Sequence, residues 1–322
     1  MPKFLVTGGA GFVGAAVVRR LVEEGREVRM LDNLSRGASG RLKGIERYID
    51  FVQGDVRDRG TVLQACVGVE CVLHLAYVNG TRFFYEQPEL VLDVALRGMM
   101  NVIDGCREQG VSDLVLMSSS EVYQTPPLLP TAEDVPLLVP DVLNPRYSYG
   151  GGKIACELMT INYGRSGFRR VMIIRPHNVY GSDMGFEHVI PDLTIRIRNL
   201  PKSSDPAPLR IQGSGQETRS FVHITDLVDG FMICLNKGKH FGIYHLGTQE
   251  EVAISELAQR IAQILGRTVR IEPGDLMAGS TARRCPDIGR ARELGYEPRV
   301  SLALGLPDVV RWYEEHAHMH SR

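Results

Sequence analysis

Residues Lys3 to Leu21 read KFLVTGGAGFVGAAVVRRL, and the rest of the chain repeats the strand–helix alternation that they begin. Phe4-Leu5-Val6 is an apolar run too short for a helix and followed closely by glycines, so it reads as a strand. Ala15, Ala16, Val17, Val18 and Leu21 suit the buried face of a helix. Between them, Gly8 permits a tight turn, Gly11 lets backbone approach a pyrophosphate, and Gly14 lets helix pack close on strand. The helix N-terminus would offer free N–H groups and a positive dipole end to phosphate. A glycine triplet alone is a weak signal. Here a strand precedes it, a helix follows, and Asp32 stands at the end of the next strand, as a dinucleotide-binding unit requires.

The 322 residues suffice for one large domain or two of ~100–200 residues each. With 43% hydrophobic and 23% charged residues the chain can bury a core and stay in solution, and a net charge of −1 leaves no footprint for nucleic acid or an anionic membrane. Cys66, Cys71, Cys106, Cys156, Cys234 and Cys285 are scattered without metal-ligand spacing, which predicts reduced core thiols in a cytoplasmic protein and no metal site. No signal-peptide pattern precedes Lys3, and no apolar run is long enough to span a bilayer.

Glu27 to Leu31 reads as a second strand ending at Asp32, whose carboxylate would accept bonds from ribose hydroxyls and repel a 2′-phosphate. That favours NAD over NADP, with Arg36 close by as the opposing feature. Asp50–Gln53 is a third strand leading to Asp55, and Cys71–Ala76 a fourth, at the sheet's centre. Pro88 opens a long helix through Val91, Val94, Leu96, Met99, Met100 and Val102, apolar enough to lie between the sheet and a second subunit. Asp113–Met117 is a fifth strand. It delivers Ser118, Ser119, Ser120 and Glu121 to the edge where open parallel sheets bind ligands. If the chain stays extended there, Ser119 and Glu121 face the same side.

Tyr149-Gly150-Gly151-Gly152-Lys153 places a phenol and an ammonium on one helix face. To act as a base the phenol would have to fall from about 10 to near 7, a cost of ~4 kcal/mol that a neighbouring cation helps to meet. Three successive helical glycines, each ~1 kcal/mol worse than alanine, imply close approach of a ligand or another helix. Arg170–Arg175 is a sixth strand. Residues 182–218 are rich in Pro, Ser, Gly and charge and read as irregular, followed by a helix-bearing stretch from Phe221, a strand at Gly242–Leu246, and helices near 254–265 and 305–316.

The motifs TGGAGFVG, LDNLSRG, GDVRD, HLA, SSSEVY, YGGGK, RPHNVYG, TRSFVHITD and RRCPDI together resemble the extended short-chain dehydrogenase/reductases, specifically their nucleotide-sugar epimerases, dehydratases and decarboxylases. The resemblance implies a Rossmann-type doubly wound parallel sheet, α/β in class, with a smaller discontinuous α/β substrate-binding cap. An NAD-binding domain would comprise 1–176 plus 219–247, and a nucleotide-sugar-binding domain 177–218 plus 248–322. It assigns the cofactor to Gly8, Gly11, Phe12, Val13, Gly14, Asp32, Asn33, Asp55, Val56, Leu75, Ala76, Tyr149, Lys153 and His177, with Lys153 on the nicotinamide ribose. Tyr149 would take the proton of the sugar 4-hydroxyl, aided by Lys153 and Ser119. Ser120, Asn178, Arg219 and Arg284 would hold the nucleotide-diphosphate sugar.

Glu121 occupies the slot where dehydratases, decarboxylases and a GDP-mannose 3,5-epimerase carry a second catalytic group, with a salt-bridged structural role as the alternative. Glu187 and His188, in SDMGFEH after NVYG, are further acid/base candidates, with lid contacts or helix capping as the alternative. Tyr77, Ala95 and His245 depart from the family's pattern, where a small residue, Asn and Asn respectively are usual. The leading expectation is an NAD-dependent epimerase that oxidises sugar C4 transiently, working as a homodimer. The alternatives are a 4,6-dehydratase or uronate decarboxylase using Glu121 at C5, and a non-catalytic NAD-binding sensor.

Overall fold

The structure, a computed structural model, describes residues 3–201, 203, 205–277 and 279–321. The opening run forms β1 (Lys3–Thr7) and the helix after the glycines is α1 (Phe12–Glu23). The chain continues through β2 (Glu27–Asp32), β3 (Ile49–Gln53), α2 (Arg59–Cys66), β4 (Cys71–His74), α3 (Thr81–Glu86), α4 (Pro88–Glu108), β5 (Asp113–Met117), α5 (Tyr147–Tyr163) and β6 (Arg170–Pro176). There follow β7 (Val179–Tyr180), α6 (Val189–Arg198), β8 (Ala207–Arg210), β9 (Thr218–Ser220), β10 (Val222–His223), α7 (Ile224–Lys237) and β11 (Gly242–Leu246). The last elements are β12 (Glu251–Ala253), α8 (Ile254–Ile264), β13 (Val269–Glu272), β14 (Arg283–Arg284), α9 (Gly289–Glu293) and α10 (Leu302–Glu315).

Seven strands pair in parallel in the order β11-β6-β5-β4-β1-β2-β3. β4 and β5 are buried along their whole length, because helices cover both faces of the sheet. One face packs on α1 and α7 through Val17, Val18, Leu21, Leu227 and Phe231. The other packs on α2, α4 and α5 through Val62, Val91, Met99, Val102 and Cys156. The order reverses between β1 and β4, and a crevice opens beyond their C-terminal ends at that point. The six cysteines are all buried and free, and among the described residues no helix is long and apolar enough to cross a membrane.

A third apolar cluster joins Tyr180, Ile190, Leu193, Leu257, Ile261, Leu306 and Val310 over the sheet's C-terminal edge. Residues 182–218 are therefore not wholly irregular, since they contain α6 and β8. Pro191 lies in the first turn of α6, where the missing N–H is no loss, so it starts a helix rather than breaking one. Beside this cluster, β9 pairs with β12 and β14, with Arg219 opposite Arg284 in register. The pairing brings two arginines from distant sequence to the edge of the crevice.

Candidate active site

The crevice is a cavity of about 540 Å³ running from the first turn of α1 to Arg284. At one end Gly8, with φ of +70°, makes the turn that L side chains resist, and a side chain at Gly14 would collide with the Gly8 carbonyl. Gly8, Gly11, Phe12, Val13 and Gly14 line the wall there, with Leu75 and Ala76 opposite. The Asp32 carboxylate accepts the Ala10 N–H at 2.9 Å and the Leu34 N–H at 2.8 Å, which fixes both oxygens at the cavity wall with accepting capacity to spare. Asn33, Asp55 and Val56 complete this end. The Asp55 carboxylate is engaged by Arg57 and by the Asn33 amide at 2.9 Å, and its hydrogen bonds to Arg57 hold its pKa at about 2. These residues fit a dinucleotide: a glycine cradle with no room for side chains, a helix N-terminus for the diphosphate and an anchored carboxylate for the ribose.

Tyr149 and Lys153 stand in the middle. Tyr149 packs against Phe84 and Tyr77, with ring centroids 4.7 and 5.1 Å away. Burial raises its phenol to about 12, against a lowering hydrogen bond from Ser119. The Lys153 ammonium donates to the Met117 carbonyl at 2.7 Å and lies 3.7 Å from the Tyr77 ring centroid and 6.0 Å from that of Tyr149. Burial lowers it to about 8. In this arrangement burial, not the lysine, sets the phenol's pKa, so the fall expected from the i, i+4 spacing is absent.

The close approaches behind the glycine triplet are visible. A side chain at Gly150 would strike the Gln124 amide and the Glu121 carbonyl, and one at Gly152 would strike the Tyr77 hydroxyl and press on Ala95 of α4. Gly151 has only ordinary contact with Val139. Tyr77, which narrows the cavity, is thus accommodated by Gly152 and by its bond to the Tyr149 carbonyl at 3.2 Å.

At the far end the chain does not stay extended after β5. Ser120–Val122 is one turn of 3₁₀ helix, capped by the Ser119 hydroxyl accepting the Glu121 N–H at 3.2 Å. The turn sends the Glu121 carboxylate to Arg284, 2.6 Å away, and to Arg146 at 3.8 Å. Burial pushes the Glu121 carboxyl up, but Arg284, Arg146 and Arg219 outweigh it and hold the group below its ordinary value. Arg284 also donates to the Thr281 hydroxyl at 2.9 Å, and its Nε is buried with no partner among the described residues. Arg219 bonds the carbonyls of Thr218 and Thr281, both at 2.7 Å, and does not line the cavity; burial lowers its pKa to about 10. Three guanidiniums therefore surround one carboxylate, with a buried donor left over, as an anionic ligand group requires.

Ser119, Ser120, Asn178 and His188 line the cavity, but His177 and Glu187, like Arg219, do not. The His177 ring is buried beside His245, 4.8 Å between centroids, and both its nitrogens lack partners among the described residues. Glu187 points to Arg36, 3.2 Å away, and to Arg82 at 3.8 Å, because the turn before α6 carries it toward α3. His188 starts α6 without capping it, and burial lowers its pKa to about 4. His245, where Asn was expected, bonds the Tyr123 hydroxyl at 2.7 Å and the Asp287 carbonyl at 2.8 Å. Tyr123 in turn is held by Arg175, which pairs with Glu157 at 2.6 Å beneath Ser118. Arg146 and Thr81 also line the site and were not foreseen. Arg146 is the N-cap residue of the tyrosine helix, three before Tyr149, a spacing that carries no motif of its own.

A model of the NAD-dependent epimerase/dehydratase family matches residues 4–247, and the chain belongs to that family. It is 31% identical to a dTDP-4-dehydro-6-deoxy-D-allose reductase of Streptomyces bikiniensis, over 97% of this chain and 96% of the relative. It is also 31% identical to a UDP-glucose 4-epimerase of Mycolicibacterium smegmatis (97% and 98% covered) and to UDP-glucuronic acid decarboxylase 4 of Arabidopsis thaliana (97% and 69%). The crystal structure of DesIV, a dTDP-glucose 4,6-dehydratase from Streptomyces venezuelae with NAD and TYD bound, superposes with a TM-score of 0.87 at 29% identity, covering 98% of each chain. The cofactor of this family is NAD.

Proposed function

We propose that this member of the family is a nucleotide-sugar 4-epimerase. The observation that carries the reading is the pairing of Glu121 with Arg284 at 2.6 Å. A carboxylate held ionised between arginines is a weak base, which argues against proton removal at C5 and leaves hydride movement at C4 as the chemistry. NAD, when bound, accepts hydride from the sugar and returns it. Gly8, Gly11 and Gly14 with the first turn of α1 would hold its diphosphate, and Asp32 its adenosine ribose. Tyr149 would receive the 4-hydroxyl proton, while Ser119 hydrogen-bonds the same oxygen. Lys153, charged below its pKa of about 8, would hold the nicotinamide ribose, and the positive charge of the bound nicotinium would lower the phenol from the value that burial sets. Arg284 would bind the diphosphate or an anionic group on the sugar. Dehydration or decarboxylation would require Glu121 to leave Arg284 and act at C5.

We also propose a homodimer. Leu92, Leu96 and Met100 of α4 and Leu158 of α5 are 38, 40, 37 and 59% exposed, an apolar strip that a second copy would cover. A concentration-independent monomer in sedimentation would contradict this. The function itself is tested by incubating the protein with UDP-, GDP-, dTDP- and CDP-sugars and reading C4 configuration by proton NMR. Inversion that Tyr149→Phe abolishes is expected; a panel with no C4 epimer would overturn the reading.

A further inference from the structure

We infer that Glu187 is a cofactor-specificity residue, one that acts by occupying Arg36. It rests only on the NAD assignment, not on the reaction at the sugar. Arg36 lines the same end of the cavity as Asp32, Asn33, Ser35 and Gly37. An arginine there is a ready partner for a 2′-phosphate, since a guanidinium binds phosphate oxygens in pairs. In this protein it is already engaged. Its Nη2 lies 3.2 Å from the Glu187 Oε2, and its guanidinium stacks over the Phe83 ring at 4.5 Å. Glu187 also reaches Arg82 at 3.8 Å. Gly80 makes the pairing sterically feasible, because a side chain there would strike the Glu187 carboxylate and press on Arg36 Nη1 at 3.1 Å.

The segment bearing Glu187 is itself anchored from both sides. Asp183 meets Arg41 at 2.8 Å, and Arg41 also donates to the Ala10 carbonyl of the glycine turn at 3.1 Å. The Tyr313 hydroxyl accepts the Met184 N–H at 2.8 Å and donates to the Gly185 carbonyl at 2.9 Å. Glu187 is therefore delivered to Arg36 by fixed backbone. A 2′-phosphate arriving here meets two carboxylates, Asp32 and Glu187, and an arginine already spent on one of them. The ribose hydroxyls of NAD need only Asp32.

The test is the dissociation constants of NAD and NADP for the full-length protein, measured by calorimetry. Glu187→Gln keeps the shape and frees Arg36 and Arg82, so the NAD-over-NADP preference should shrink about tenfold. Adding Arg36→Leu to Glu187→Gln should restore the original preference. Arg36→Leu alone should keep or strengthen the preference for NAD, because it frees no cation and leaves the Glu187 carboxylate less neutralised. An unchanged preference in Glu187→Gln would overturn the inference. So would a gain that survives in the double variant, or a gain in NADP binding in Arg36→Leu alone.

Discussion

The two ends of the cavity are both built from arginines and carboxylates, but their balance differs. At the ribose end Arg36 and Arg82 face Glu187, Arg41 faces Asp183, and Asp32 has no ion-pair partner among the described residues, so three guanidiniums meet three carboxylates. At the other end Glu121 alone answers Arg284 and Arg146, with Arg219 close behind. A neutralised end suits the uncharged hydroxyls of a ribose, and an end with surplus positive charge suits an anion. Tyr149 and Lys153 lie between the two. On this view charge sorts the ligands, and the middle performs the chemistry.

The sharpest separation comes from the middle. Tyr149→Phe should lower turnover by about 10³-fold. Nucleotide-sugar and NAD affinities measured by calorimetry should remain within a few-fold, so that binding at the ends is distinguished from reaction between them. Arg284→Met attacks the surplus directly. Nucleotide-sugar binding should be lost, and because the variant leaves Glu121 with only Arg146, stability should drop by about 3 kcal/mol in urea unfolding. NAD affinity should not follow.

Glu121→Gln increases the surplus instead. Nucleotide-sugar affinity should hold or tighten, and kcat should stay within about tenfold if hydride movement is the whole reaction. The same variant carries a pH signature. The Glu121 carboxyl is held below its ordinary value of 4.5 by its arginines. Its ion pair therefore stabilises the fold fully above that pH and is lost as pH falls through the lower folded value. Melting temperatures from pH 7 downward should fall less steeply below 4.5 for Glu121→Gln than for the parent protein. The smallest effect belongs to the balanced end. Asp183→Asn removes a partly exposed bidentate partner of Arg41, and unfolding should show a loss of about 1 kcal/mol.

The ribose end was far more legible in the sequence than the anionic end. Gly14 and Asp32 act through neighbours within one strand–helix–strand unit, and local spacing reports local geometry. The Tyr149–Lys153 pair was equally local, as was the alternation that makes the sheet. What spacing could not report was pairing across the chain. Glu121 meets Arg284 across 163 positions, and Arg36 meets Glu187 across 151. Both pairings depend on the turn after β5 and on how β9, β14 and the segment before α6 fold back over the sheet. The turn at Ser120–Val122 also changed where Glu121 points, which an extended strand would have aimed beside Ser119. Burial, likewise invisible in spacing, explains why the Tyr149 phenol sits at about 12 rather than below 10.

The most direct measurement is turnover in heavy water against the nucleotide-sugar panel, read by mass and proton NMR. The expected product is a C4 epimer of unchanged mass with no deuterium on carbon, because hydride alone leaves and returns. Deuterium at C5, or loss of water or carbon dioxide, would contradict this and make Glu121 a base in spite of its arginines.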